Sequence, residues 1–163
     1  MPVGLMYPKQ ELLYNNMKNI DKVLEIGTYM GHSLLIMLLS NPKLKITCID
    51  ISDKYTGPAV NILNKYFNNA IKFIHSDNLS TLQNINENFD FFHIDGYHVD
   101  SYISTKFNII KSLHNSSDNI LRVLFDDETC LRQLQDHIFS NYKIIKHINP
   151  GCTWSNVYFE IQL

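Results

Sequence analysis

Five apolar runs in this sequence carry a carboxylate at or beside their end: Glu25 in VLEIG, Asp50 closing LKITCID, Asp77 after IKFIHS, Asp95 closing FDFFHID, and Asp126-Asp127 after ILRVLF. Aspartate disfavours strands, yet here it repeatedly ends them. Carboxylates brought together this way can accept hydrogen bonds from ribose hydroxyls, hold hard cations or take up a proton. Asp77 and Asp126-Asp127 precede helix-like segments, so each also suits an N-cap or a first-turn position favoured by the helix dipole.

The stretch VLEIGTYMGHS, residues 23–33, places Gly27 and Gly31 between an apolar run and a second run at helical spacing. Their pattern is Gly-x-x-x-Gly, not the Gly-x-Gly-x-x-Gly that brings backbone onto a pyrophosphate. Asp50 follows at about the twenty-residue distance at which an acidic residue meets a ribose. A nucleoside-type ligand without a pyrophosphate fits both features. Of the seven histidines, His75 and His93 fall inside strand-like runs and read as satisfied core residues. His32 would pack or cap near the glycines, and His114, His137 and His147 have no company that suggests chemistry. Trp154 and the Tyr158-Phe159 stripe suit packing of the last strands.

The elements that must position these groups alternate. Strand-like segments span residues 22–27, 44–50, 71–76, 89–95, 120–126, 142–148 and 154–162, and helix-like segments span 33–40, 58–67, 79–85, 99–113 and 128–139. Strands separated by helix-length crossovers form parallel βαβ units. The runs VLEI, FDFFHI and ILRVLF are nearly continuous in apolar character, as central strands covered on both faces should be. Only NPGCT, residues 149–153, separates the last two strands, too few residues for a crossover helix, so the chain ends in an antiparallel hairpin. We expect a doubly wound α/β fold, a seven-stranded Rossmann-like sheet in a single domain over residues 1–163. Ligands of such sheets bind outside the carboxyl ends of the strands, where the acidic residues gather.

Composition narrows the alternatives. With 45% hydrophobic and 12% aromatic residues and a mean hydropathy of -0.14, the chain is an ordinary globular one. A formal net charge of -2 speaks against general nucleic-acid or anionic-membrane binding. Cys48, Cys130 and Cys152 form no Cys-x-x-Cys pair, so free thiols in a reducing compartment fit best. No basic leader precedes an apolar core at the N-terminus, and no run approaches membrane-spanning length. A soluble cytoplasmic protein is expected, with neither membrane nor nucleic acid as partner.

On these residues the chain resembles the class I S-adenosylmethionine-dependent methyltransferases. Residues 25–33, Glu25 to Ser33, are similar to the cofactor loop of the metal-dependent O-methyltransferases of the catechol and caffeoyl-CoA type. The resemblance implies that Glu25, Gly27 and Gly31 shape the methionine pocket and that Thr28, Tyr29 and Ser33 touch the cofactor. It further implies that Asp50, with Ile51 beside it, holds the ribose, that Asp77 lies near the adenine, and that Asp95 borders the cofactor. FDFFHIDGYHVDSY and VLFDDE match a second motif, in which Asp95, Asp126 and Asp127 would bind one divalent ion. Three carboxylates without soft ligands select a hard cation such as Mg²⁺. Asparagine is usual at Asp127 in the catechol branch, and the acidic pair looks more like the branch acting on sugar hydroxyls.

The activity implied is methylation of a hydroxyl oxygen, with Asp95 and His98 as catalytic groups. His98 stands where the catechol branch carries a lysine base, and an imidazole pKa near 6.5 suits proton acceptance. About twenty residues precede the first strand, so the N-terminal helices that wall the catechol pocket are expected to be mostly missing. An exposed site suits a sugar hydroxyl on a glycan or nucleotide sugar, with a small catechol or phenol second. A homodimer joined through a helical face would help a small domain finish its pocket. Two rivals stand beside this reading: a dinucleotide-binding oxidoreductase, and a silent module that keeps the fold for partner binding.

Overall fold

The computed structural model describes residues 7–76, 79–96, 100–115, 117–126, 131–150 and 156–163. Its strands are β1 (Lys22–Ile26), β2 (Lys45–Asp50), β3 (Ile71–His75), β4 (Phe91–Ile94), β5 (Ile120–Phe125), β6 (Lys143–Ile148) and β7 (Val157–Gln162). The helices are α1 (Tyr7–Asn16), α2 (His32–Ser40), α3 (Asp53–Tyr66), α4 (Leu79–Gln83), α5 (Asp100–Leu113) and α6 (Arg132–Asn141), and a 3₁₀ turn at Met17–Asn19 follows α1.

The strands form one sheet in the order β3-β2-β1-β4-β5-β7-β6. β3 through β5 run parallel, and β7 pairs antiparallel with both β5 and β6. The expected seven-stranded sheet with an antiparallel end is the one observed. Its order reverses between β1 and β4, which makes their carboxyl ends the crevice of the fold.

Alternation along the strands divides the core in two. One face sends Leu24, Phe92, Val123 and Phe159 against Ile103, Phe107 and Ile110 of α5 and Leu134 and Ile138 of α6. The other sends Val23, Ile46, Cys48, Phe91, Leu124 and Tyr158 against Leu12 and Leu13 of α1, Leu34, Met37 and Leu38 of α2, and Val60 and Leu63 of α3. Each large side chain taken out of water on either face stabilises the fold by roughly 1.5–3 kcal/mol before its ordering cost.

Two helices depart from expectation. α3 starts at Asp53, not at Pro58: Ser52 precedes it, Asp53 supplies a negative charge to its first turn, and Pro58 sits inside it. The segment before β1 holds α1, which packs on α2. Its buried positions Lys9, Leu12 and Leu13, continued by Met17 in the 3₁₀ turn, follow helical spacing. Of the N-terminal helices expected to be mostly missing, this one ten-residue helix and the 3₁₀ turn are present among the described residues.

Candidate active site

Backbone ladders continue one residue past the strands and align their ends. Gly27 N donates to Ile49 O (2.8 Å), Asp95 N to Ile26 O (2.7 Å) and Asp126 N to Ile94 O (2.9 Å). Asp95 and Asp126 are thereby fixed side by side at the crevice.

Gly27 answers for the first glycine of the loop. It has φ +85°, and a Cβ there would stand 2.1 Å from Asp95 O and 2.9 Å from Gly96 N. Only glycine permits that conformation and that approach of the β1 and β4 ends. Gly31, φ +75°, precedes the first turn of α2, and a Cβ there would meet Ala59 Cβ at 3.2 Å.

Asp50 fastens the loop between the glycines. Its Oδ2 accepts from Thr28 N and Tyr29 N, both at 2.7 Å, and its Oδ1 accepts from Ser52 N at 2.7 Å. A carboxylate has about four acceptor positions, so these bonds leave room for a ligand hydroxyl. Tyr29, with φ +51°, is exposed and its ring lies 5.1 Å from that of Tyr55. Ser33 is half-buried in the first turn of α2, and Ile51 is 66% exposed beside Asp50. His32 is exposed at the start of α2. His75, expected in the core, is exposed at the end of β3, where its Nε2 donates to Ile51 O (2.8 Å). Asp77, His98, Asp127 and Trp154 lie outside the described residues.

Glu25 sits below the loop it was expected to shape. It is fully buried beneath the loop, accepting from Thr28 Oγ1 (2.7 Å) and from His93 Nδ1 (2.7 Å). Glu25 and His93 are register partners on adjacent strands, so their side chains share a face. His93 Nε2 lies 3.7 Å from Asp126 Oδ1. Asp126 Oδ1 also accepts from Asn156 Nδ2 (2.7 Å), while its Oδ2 accepts from Lys9 Nζ. Lys9 Nζ donates as well to Asp95 Oδ2 (3.2 Å). Thr28, Glu25, His93, Asp126, Lys9 and Asp95 thus form one chain of polar contacts from the glycine loop to the crevice.

Burial and charge set the titration of this chain. Burial lowers the Lys9 ammonium, but Asp95 and Asp126 outweigh it and hold the group above its ordinary value. Burial and Lys9 pull His93 down, while the neighbouring Asp126 and Glu25 carboxylates pull it further up, to about 9. Burial raises Asp126, yet His93 and Lys9 hold it well below the usual carboxylate range. Asp95 moves the other way, to about 7, pushed by burial and by the neighbouring Asp126. A third of its side chain meets solvent, so Asp95 is the member of the set that an outside molecule can reach.

Of the three expected metal ligands, Asp95 and Asp126 are described and stand beside His93, while Asp127 is not. His93, Asp95 and Asp126 each bring one ligand atom within 4.8 Å of the others. The position between the two carboxylates belongs to Lys9 Nζ, however, and the second oxygen of Asp126 is taken by Asn156. Hard divalent cations require several free oxygens. Among the described residues the space between Asp95 and Asp126 is filled by Lys9 Nζ, and Asp127, the third expected ligand, lies outside them. Lys9, the linking role of His93, and Asn156 are additions to the expected site. The spacing Lys9-Leu12-Leu13-Met17 could have flagged the first, and the i, i+2 relation of His93 to Asp95 the second.

Comparison with known proteins decides the family. A profile described as O-methyltransferase matches residues 10–121. The chain belongs to the O-methyltransferase family. No curated protein sequence matches it significantly. Among solved structures, the O-methyltransferase TomG of Streptomyces achromogenes, in complex with SAM, is 14% identical with a TM-score of 0.75, covering 96% of this chain and 80% of that one. The O-methyltransferase of Bacillus cereus in complex with SAH is 16% identical with a TM-score of 0.72, covering 100% and 82%. A putative caffeoyl-CoA O-methyltransferase of Staphylococcus aureus is 19% identical with a TM-score of 0.70, covering 95% and 83%. These likenesses concern the fold that the O-methyltransferase chain shares with them.

Proposed function

We propose that this O-methyltransferase moves a methyl group from S-adenosylmethionine to a hydroxyl of a sugar, glycan or nucleotide sugar. The observation that carries it is the approach of Gly27 to the Asp95 carbonyl, which lays the Asp50-clamped loop and the Asp95 carboxylate on the same crevice. In this reading Gly27, Thr28, Tyr29, Gly31 and Ser33 surround the methionine part of the cofactor, with Glu25 acting from beneath. Asp50 and Ile51 meet the ribose. The cofactor-bound relatives TomG and the Bacillus cereus enzyme support the choice of ligand.

The acceptor oxygen attacks the methyl carbon. The C–O bond forms as the C–S bond breaks, the electron pair of that bond stays on sulfur as S-adenosylhomocysteine is released, and the hydroxyl proton passes to the Asp95 carboxylate. A base titrating at about 7 works near the pH at which it operates. Asp95, held against the buried Lys9 ammonium, presents an acceptor for the proton of an aliphatic hydroxyl. A small catechol or phenol is the second reading. Divalent-metal assistance supplies no step, because Lys9 stands at the position the ion would take.

No helix among the described residues is long and apolar enough to cross a membrane. Cys48 is a buried free thiol, and we assign the chain to the reducing cytoplasm. A ligand that binds only the native state raises its apparent stability. Thermal shift with S-adenosylhomocysteine, with NAD as control, is therefore the test of the cofactor. Stabilisation by NAD alone would overturn it. Product analysis on nucleotide sugars and catechols tests the acceptor, and methylation of catechols alone would sink the sugar assignment.

A further inference from the structure

We infer that the Lys9 ammonium is the resident cation of the acceptor side, occupying the place between Asp95 and Asp126 expected for a divalent ion. The inference rests on the methyltransferase reading above for the site's purpose, and on contacts alone for its content.

Lys9 is 4% exposed, although lysine ordinarily carries its charge to water along a flexible stem. Here the stem lies on the buried side of α1 with Leu12 and Leu13, and the ammonium points to the ends of β4 and β5. A buried charge is tolerated only when paired and hydrogen-bonded. Both conditions are met, by Asp95 Oδ2 at 3.2 Å and by Asp126 Oδ2. The partners are held in turn: Asp126 Oδ1 accepts from Asn156 and faces His93 Nε2 at 3.7 Å. The imidazole is itself anchored on Glu25. A divalent ion entering this space would face the ammonium at contact distance and would have to displace it.

The ammonium also serves the acceptor differently from a metal. An octahedral ion would draw in waters and two vicinal acceptor oxygens, whereas Lys9 Nζ is spent on the two carboxylates and leaves the part-exposed Asp95 to meet a single acceptor hydroxyl. Acceptors of this enzyme therefore need no vicinal diol or catechol pair.

The test uses the full chain, stripped with chelator and titrated with MnCl₂ while the free Mn²⁺ signal is followed by electron paramagnetic resonance. S-adenosylhomocysteine thermal shift runs in parallel on every variant as a check of fold and cofactor site. The native protein should leave the Mn²⁺ signal undiminished. Lys9→Met, which keeps the apolar stem and removes the charge, should bind Mn²⁺ at least about tenfold more tightly than native. Lys9→Gln, a polar replacement in case Lys9→Met does not fold, should do the same, and Lys9→Arg should not. Mn²⁺ uptake by the native chain, abolished by Asp126→Asn, would overturn the inference. So would a Lys9→Met or Lys9→Gln protein that responds to S-adenosylhomocysteine and binds Mn²⁺ no better than native. Absence of the S-adenosylhomocysteine shift in the native protein would instead sink the cofactor reading, leaving the Mn²⁺ comparison to stand on its own.

Discussion

The two sides of the crevice are built by different means. On the cofactor side, Gly27 to Gly31 form a contiguous loop held by backbone N–H groups on one carboxylate, Asp50. On the acceptor side, four charged groups come from three separate segments: Lys9 from α1, His93 and Asp95 from β4 and its end, and Asp126 from the end of β5. The first side depends on backbone conformation, the second on balanced buried charge. Substitutions should therefore fail differently on the two sides, by misplacing the loop on one and by stranding a charge on the other.

The largest effect is expected at Gly27. Gly27→Ala combines a left-handed φ with a Cβ 2.1 Å from a carbonyl oxygen, and a loss of roughly 3 kcal/mol or more in urea denaturation is expected. Gly31→Ala, with a softer contact at 3.2 Å, should lose only about 1 kcal/mol. Equal losses would show that left-handed φ, not the approach of β1 to β4, governs the loop.

Next comes the stranded charge. Asp126→Asn removes the carboxylate facing both Lys9 and His93, and breaking one partner of a buried pair costs about 3–5 kcal/mol. A drop under about 1 kcal/mol, the range of surface pairs, would mean that water already reaches the set.

Asp50→Asn should lose charge-assisted bonds to the loop worth roughly 1.5–3 kcal/mol each at most. Weakened S-adenosylhomocysteine binding should exceed the loss of stability, and calorimetric titration beside denaturation would separate the two. Unchanged binding would return Asp50 to a purely local role.

The smallest effect is a pH dependence. His93 binds its proton more tightly folded, at about 9, than unfolded, at about 6.5. Its contribution to stability is thus complete below the unfolded value and fades as pH rises through the folded one. Melting temperature should fall between those limits in the native chain and be flatter in His93→Asn. Equal slopes would show that His93 is not the group responsible.

Much of this was legible before the fold was seen. Apolar runs of strand length separated by helix-length segments dictate a covered parallel sheet, and the short stretch between the last two strands, residues 149–156, forbids a crossover. The carboxylates at strand ends follow from the same register, because every parallel strand ends at the same edge. Gly27 and Gly31 were readable as a loop because their chemistry is local, whereas Asp50 read as a ribose ligand and only the fold shows it fastening that loop. Lys9 was not readable: its charge breaks the apolar pattern of α1, so the segment reads as polar although Lys9 occupies a position on the buried face. His93 reads as core, and it is core, but only the pairing of β1 with β4 sets it on Glu25 and beneath Asp126. Sequence alone determined the sheet, the crevice and the strand ends that bring Asp50, Asp95 and Asp126 toward it, because those depend on periodicity along the chain. The tertiary structure decided which cation neutralises them, because that depends on distances between residues far apart in sequence.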